Sequence, residues 1–331
     1  MLLYVDDLLV DGDDASVHEF LDLLSGRFKC NNPIFLTAET PIDFIGIMIH
    51  LSENKIELSM EPYCKKLLSE MGMENCTPRG TNFSHDIDTT SPLLSQENSR
   101  IYRSGVGGIG WLVNTLRPDL ALPFSRLGSH LANPTESAAQ VLKHCLRYIQ
   151  GTKHYRISMQ LDQEANAYDF YVDSDHGGNT EPDAKRKSQT GYLSTINGAP
   201  NKWKSQLQSI TATSSAEAEI YAASKATQDF MHLSYITSEL GITDFPSPFR
   251  LKIDNSAAII FMEDSSRVSR LKHIDLRQNW VKQMRDYDVV QPIKVGTDDN
   301  LADLMTKPLS GVKLRKFCES IFNYSATAHP D

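Results

Sequence analysis

Two kinds of hydrophobic spacing alternate along this chain, helical stretches and short strand-like runs, and together they predict its elements. Leu2-Leu3 and Leu8-Leu9-Val10 flank Tyr4-Val5-Asp6-Asp7, so two apolar segments enclose an acidic tip and predict a hairpin. Val17, Phe20, Leu21 and Leu24 share one face of a predicted helix over 17–28. Residues 42–51 and 56–58 read as paired strands and 62–71 as a helix. Residues 77–100, rich in Thr, Ser, Asn, Asp and Pro, have little periodicity and read as a linker. From 102 to 151 the spacing is helical again. Val106, Ile109, Leu112 and Val113 form one face, Pro118 breaks the chain after Arg117, and 120–131 and 138–149 give two more helices.

From residue 168 the pattern changes to strands, over 168–172, 190–196 and 202–207, followed by a long helix. A further strand over 249–253 turns into another helix, so the second half of the chain predicts an α/β layer with a mixed sheet. The long helix opens with Ser214 and Glu217 at capping-box spacing, which gives Glu217 a structural task. Glu219 lies about 200° further round the helix, on the side of Ala222, Ala223 and Ala226, whose small side chains allow close packing on a sheet. Glu219 is therefore the inward candidate, with Glu217 as the second choice. Asp299-Asn300-Leu301-Ala302-Asp303-Leu304 reads as the opening of the last helix, with Asn300 its N-cap. An acid at the position of Asp303 also offsets the helix dipole, an effect of about 0.3 to 1 kcal/mol.

Candidate chemistry changes this picture at residues 170–179, which read Phe-Tyr-Val-Asp-Ser-Asp-His-Gly-Gly-Asn. Asp173 and Asp175 fall where a buried strand meets solvent, which suits a metal-binding carboxylate. A single such pair reads first as a solvated strand end, because acids are commonly exposed. Asp254 repeats the arrangement, and with Glu219 and Asp303 it makes four acids at strand ends or helix starts. A hard cation such as Mg²⁺ takes oxygen ligands, and clustered carboxylates repel one another until a divalent ion neutralises them.

Composition sets outer bounds. The 331 residues, 40% hydrophobic and 23% charged, are ordinary for a globular protein with two or three domains. A net charge of -9 argues against non-specific capture by polyanions and leaves room for a local basic face. Lys185-Arg186-Lys187 with Ser188 and Thr190, and Lys202-Trp203-Lys204, are the basic and aromatic candidates for nucleic-acid contact, and each also reads as a solvated loop. Arg103, Arg117, Arg126, Lys143 and Arg147 read either as a phosphate-facing surface or as solvated helix faces. Five scattered cysteines without a Cys-x-x-Cys pair predict reduced thiols in an intracellular protein. The acidic start does not resemble a signal peptide, and no apolar run approaches the roughly 20 residues of a membrane span.

Several segments resemble one family. Tyr4-Val5-Asp6-Asp7-Leu8-Leu9-Val10, Phe44-Ile45-Gly46-Ile47-Met48-Ile49, Ile56-Glu57-Leu58-Ser59 and Tyr63-Cys64-Lys65-Lys66-Leu67-Leu68 resemble the end of the reverse transcriptase palm of Copia-type LTR retrotransposons. Tyr102-Arg103-Ser104, Arg117-Pro118-Asp119, Pro134-Thr135 and Leu146-Arg147-Tyr148-Ile149-Gln150-Gly151-Thr152 resemble the thumb-like or connecting segment that follows. The order of Asp173, Glu219, Asp254 and Asp303 resembles the ribonuclease H domain. Ser188-Gln189-Thr190-Gly191-Tyr192, Trp203-Lys204-Ser205, Lys272-His273-Ile274-Asp275 and Leu301-Ala302-Asp303-Leu304-Met305-Thr306-Lys307-Pro308-Leu309 resemble its Copia version.

The resemblance implies an α/β chain divided into an α+β palm remnant over 1–76, a linker over 77–100, a helical segment over 101–160, a ribonuclease H-like domain over 165–322 and a tail over 323–331. The last domain is expected to hold a mixed five-stranded sheet flanked by helices. The implied activity is magnesium-dependent cleavage of RNA in RNA-DNA hybrids. Two Mg²⁺ ions, with Mn²⁺ as a substitute, would be bridged by Asp173, with Glu219 and Asp254 on one side and Asp303 on the other. They would activate water and stabilise the leaving 3′-oxygen. Asp6 and Asp7 correspond to two of the three polymerase metal ligands. The third belongs to a palm strand that would precede Met1, so polymerase activity is not expected from this chain alone. The implied partners are the hybrid and the N-terminal portion of a reverse transcriptase, with no membrane, in the cytoplasm, in retrotransposon particles or in the nucleus. The alternative expectation is an inert relic that at most binds nucleic acid.

Departures from the family pattern are His176, where Trp is usual, and Gly178-Asn179 in place of Gly-Asp. Cellular ribonucleases H carry a His shortly before the last Asp, and 295–300 has none. The function of that His is either missing here or replaced, with Asp298 and Asp299 the candidates. His273 reads as the start of a separate helix.

Overall fold

The computed structural model describes residues 1–52, 54–161, 168–178, 186–241, 247–264 and 276–322. The expected hairpin forms from β1 (Leu2–Tyr4) and β2 (Asp7–Leu9), antiparallel with Tyr4 opposite Asp7 and Val5-Asp6 as the turn. Helix α1 (Asp14–Ser25) is capped by Asp13, whose carboxylate accepts from the Ser16 amide at 3.0 Å. Val17, Phe20, Leu21 and Leu24 are its half-buried face, as their spacing predicts. Strands β3 (Ile42–Phe44), β4 (Ile47–Ser52) and β5 (Lys55–Ser59) form an antiparallel sheet, followed by α2 (Glu61–Glu70). A fourth strand, β6 (Arg156–Gln160), pairs with β5. Its pattern is too short to have announced it, and its partner is distant in sequence.

Residues 77–95 carry no helix, yet they bury Phe83 and Ile87, and Leu93 bridges to Thr135. Helices α3 (Gln96–Thr115), α4 (Ala121–Gly128) and α5 (Glu136–Thr152) follow, with a 3₁₀ turn at Pro118–Leu120. Arg117 is not on a phosphate-facing surface. Its guanidinium is buried and forks onto Asp119, with Nε 2.8 Å from Oδ1 and Nη2 2.7 Å from Oδ2. The same guanidinium donates to the Thr152 carbonyl and hydroxyl and lies over the rings of Tyr148, Tyr155 and Phe322. Arg103 and Arg147 also turn to backbone carbonyls, of Leu131 and Thr77 respectively, and Arg126 is buried.

The mixed sheet contains β7 (Tyr168–Asp175), β8 (Gln189–Ile196), β9 (Ala199–Leu207), β10 (Phe249–Ile253) and β11 (Val290–Lys294) in the order β11-β10-β7-β8-β9. Strands β7, β8 and β9 are antiparallel, whereas β10 runs parallel to both β7 and β11. The helices of this layer are α6 (Ser215–Glu239), α7 (Ser256–Glu263), α8 (Leu276–Asp286), the single turn α9 (Asp303–Thr306) and α10 (Gly311–Phe322). The chain is an α/β protein.

Alternation along the strands separates two cores. Phe170, Val172, Tyr192, Leu251 and Ile253 pack with Ala222, Ala223, Ala226 and Phe230 of α6. On the other face, Leu193 and Ala199 join Leu304, Met305 and Phe317 in one cluster with Leu112, Val113 and Ile149 of the helical segment. Helices α3 to α5 thus share a core with the second face of the mixed sheet.

Removing Asp119 alone would strand the buried Arg117 charge. Asp119→Ala is expected to lower stability by about 3 to 5 kcal/mol in urea unfolding, whereas Arg117→Met combined with Asp119→Leu recovers much of that loss. Equal destabilisation by the double variant would contradict this account of the pair.

Candidate metal centre

The parallel register aligns Val172 of β7 with Ile253 of β10, so the next residues, Asp173 and Asp254, emerge side by side at the carboxyl ends of neighbouring strands. Asp303 is brought to them from above. Asn300, fully buried, donates from Nδ2 to the Val172 carbonyl at 3.0 Å and accepts at Oδ1 from the Ala302 amide at 3.2 Å. The N-cap position of α9 is held by Ala302, so Asn300 is not the helix cap its sequence context predicts. Its amide is used instead to tie the turn to β7.

Close approach of that turn depends on Gly191, which pairs with Asp173 across β7 and β8. A Cβ there would lie 2.5 Å from Thr306 Cγ2 and 2.6 Å from Met305 Cβ. As a result Asp173, Asp254 and Asp303 place carboxylate oxygens within 4.8 Å of one another. Asp173 and Asp303 are buried and Asp254 is half-buried.

Glu219 stands beside this trio. Ser214 accepts from the Glu217 amide at 3.1 Å, and the Glu217 carboxylate accepts from the Thr213 amide and hydroxyl at 2.6 Å, so the cap reaches back to Thr213. That contact holds Glu217 at the helix start, while Glu219 turns inward and is buried. Glu219 Oε1 accepts from the Ser174 amide at 3.2 Å, and among the described residues its buried Oε2 has no hydrogen-bond partner.

The crowding of acids is met by cations and by protons. Lys307 Nζ lies 2.8 Å from Asp303 Oδ1 and 3.6 Å from Asp173 Oδ2, and Lys313 Nζ lies 2.9 Å from Asp303 Oδ2. The Thr306 hydroxyl donates to Asp173 Oδ2. Burial pushes Asp173 up from 3.8 to about 6, with Lys307 opposing and Asp303 and Asp254 reinforcing the rise. Burial, then Asp173 and Asp254, hold the Glu219 carboxyl well above its ordinary range. Burial disfavours the Lys307 ammonium, but Asp173 and Asp303 outweigh it and raise that group. All the convergent donors are oxygens, and among the described residues the buried Oε2 of Glu219 beside them has no hydrogen-bond partner. Both features fit a hard divalent cation of the Mg²⁺ or Mn²⁺ class, with Asp173, Asp254 and Asp303 as the residues to hold it.

Asp6 and Asp7 are exposed at the hairpin, and among the described residues neither joins a three-ligand group. Ser188 and Thr190 are buried, the first accepting from the Gly177 amide and the second from the Gln208 side chain. The Trp203 indole donates to the Val113 carbonyl at 2.8 Å and packs toward α3. Arg186 and Lys204 are exposed, and Lys187 and Lys202 are half-buried. Lys185 and His273 lie outside the described residues. Asp298 and Asp299 are engaged by Lys313 and Lys316. Sequence reasoning missed Thr306 and Lys307, although they sit three and four residues after Asp303 and the spacing offered a signal. Lys313 gave no such signal.

The chain matches the Retrovirus-related Pol polyprotein from transposon RE2 of Arabidopsis thaliana at 30% identity over 328 residues, 97% of this chain. A second such polyprotein, from transposon RE1 of the same plant, gives the same identity and coverage. Its counterpart from transposon TNT 1-94 of Nicotiana tabacum is 29% identical over 93% of this chain. This chain belongs to the Copia-type retrotransposon Pol polyproteins. It spans about a fifth of the length of these relatives, 21% of each Arabidopsis protein and 23% of the tobacco one. No protein-family model matches it. Among the described residues of the Pol chain, no helix is long and apolar enough to cross a membrane.

Two outcomes are expected of this Pol chain. Between pH 3.8 and about 6 the folded protein keeps a proton on Asp173 that the unfolded chain releases, so this group's contribution fades as pH rises through that window. In chelator, the melting temperature of Asp173→Asn should therefore rise relative to wild type between pH 4.5 and 7, and a constant difference would refute the assignment. Gly191→Ala should displace the α9 turn and lower stability by about 1 to 3 kcal/mol, read by chemical denaturation. An unchanged midpoint would show that the turn does not press on β8.

Proposed function

We propose that this chain is a divalent-metal-dependent endoribonuclease of the ribonuclease H class, which hydrolyses the RNA strand of RNA-DNA hybrids. The observation that carries the reading is the convergence of Asp173, Asp254 and Asp303 within 4.8 Å at the carboxyl edge of a mixed sheet, with Glu219 alongside. The membership in retrotransposon Pol polyproteins supports it.

Asp173, Asp254 and Asp303 would ligate Mg²⁺ or Mn²⁺, with Glu219 contributing its free Oε2. When bound, two such ions supply Lewis-acid stabilisation of the phosphodiester and an activated water. Asp173 is oriented for this by the Thr306 hydroxyl on Oδ2, and Glu219 by the Ser174 amide on Oε1. Asn300 fixes the distance between the Asp303 turn and β7. Hydrolysis then adds water across the P–O3′ bond and leaves a 5′-phosphate and a 3′-hydroxyl.

Arg186, Lys187, Lys202 and Lys204 are the proposed phosphate contacts, whereas recognition of the RNA strand requires contact with its 2′-hydroxyls. Ser188, Thr190 and Trp203 support the sheet and the helical segment in this reading.

The purified chain should cleave a labelled RNA-DNA hybrid in Mg²⁺ and leave the DNA strand intact. Asp173→Asn and Asp254→Asn should each lower the rate by about a hundredfold or more while retaining hybrid binding. Equal cleavage by either variant, or hybrid binding by wild type without ion-dependent cleavage, would sink the enzymatic reading.

A further inference from the structure

Each oxygen of Asp303 faces an ammonium group, at 2.8 or 2.9 Å, so a cation would have to compete with two lysines for this carboxylate. The two lysines differ in how they are held. Lys313, on α10, also donates to the Thr297 carbonyl at 3.1 Å and lies 3.4 Å from Asp298, so its position is fixed by three groups. Lys307 bridges Asp303 and Asp173, at 2.8 and 3.6 Å, and its side chain is 34% exposed. Its ammonium therefore lies between two of the three carboxylates whose oxygens converge within 4.8 Å. A divalent ion shared by Asp173 and Asp303 would need that place.

We propose that Lys307 is a built-in counter-ion, which occupies the position of the bridging ion while the site is free of metal and withdraws into solvent when the ion arrives. The inference rests on the metal-dependent reading of the trio. Two buried carboxylates this close repel each other, and a single ammonium offsets only part of that repulsion. A divalent ion brings twice the charge and direct ligation, so it wins at sufficient concentration. The free energy of moving the lysine is subtracted from the ion's apparent affinity. Lys307 thereby sets the ion concentration at which the site fills, and its partial exposure gives the ammonium a route to water. Lys313 keeps its contacts on Asp298 and the 297 carbonyl and remains as the lasting partner of Asp303.

Calorimetric titration of Mn²⁺ into the full chain tests this without any nuclease assay. Mn²⁺ should bind K307M and K307Q about tenfold more tightly than wild type. Unchanged or weaker binding by both variants, with wild type still binding Mn²⁺, overturns the counter-ion role and leaves the proposed function standing. Lack of Mn²⁺ binding by wild type and both variants alike overturns the metal site and the counter-ion together. A second measurement needs no variant: amine acylation of the wild-type chain, mapped by mass spectrometry. Lys307 should become severalfold more reactive when Mn²⁺ is added, while Lys313 changes little. Constant reactivity of Lys307 in the Mn²⁺-loaded protein overturns the proposal.

Discussion

Crowding of like charges at the carboxyl edge of the mixed sheet is the constraint to which this end of the molecule answers. At 4.8 Å two carboxylates repel by roughly 3 to 4 kcal/mol at an effective dielectric near 20. The fold meets that repulsion in several ways at once. Burial and mutual repulsion leave protons on Asp173 and Glu219 well above the usual carboxylate range. Lys307 and Lys313 bring positive charge to Asp303, while the Thr306 hydroxyl and the Ser174 amide direct hydrogen bonds at Asp173 and Glu219. Each device holds the acids together without satisfying them fully, since Glu219 Oε2 has no hydrogen-bond partner among the described residues. Incomplete satisfaction is what a site that takes up a cation requires, and it is why the same acids would be a liability in an ordinary core.

The buried pair of Arg117 and Asp119 handles the same problem to the opposite end. There the guanidinium fork takes both carboxylate oxygens, and the Tyr148 hydroxyl adds a third hydrogen bond at 2.8 Å. Both oxygens accept hydrogen bonds and the charge is paired with a buried guanidinium, so this acid fixes structure. The pair also bears on the site through packing. Tyr148 contacts Cys318, and Phe322 lies beneath the guanidinium, so the helical segment seats α10, the helix that carries Lys313 to Asp303. Trp203 and Gln189 strengthen that connection through Val113 and Ser125. The helices before the mixed sheet thus act as the wall against which its second face and the α9 turn are packed.

Much of this was legible in the sequence because it is written in local period and local hydrogen bonding. The hairpin around Asp6, the face of Val17, Phe20, Leu21 and Leu24, and four of the five strands of the mixed sheet follow from side-chain spacing, whereas β11 does not. The small residues Ala222, Ala223 and Ala226 marked the packed face of α6 and so identified Glu219 as the inward acid. Asn300 departs from its sequence context for a reason that spacing cannot express. Its side chain donates to the carbonyl of Val172, a residue far away in the chain, while its Oδ1 accepts from Ala302, the residue that holds the N-cap position of α9. Strand β6 has no signature of its own in the sequence, because a five-residue strand has meaning only beside β5, its partner.

By itself the sequence determined which residues are acidic at element ends, which helices and strands carry them, and to which family the motifs point. Tertiary structure alone decided that Asp173 and Asp254 are neighbours, because their adjacency is a property of the parallel register of β7 and β10. It alone decided that Gly191 is the gap into which the Asp303 turn fits, and that Lys307 and Lys313 share one carboxylate. The physical reason is common to all three. Period and capping act between residues a few positions apart, whereas register, close approach and Coulomb interaction act between residues that only the folded chain brings within ångströms of one another.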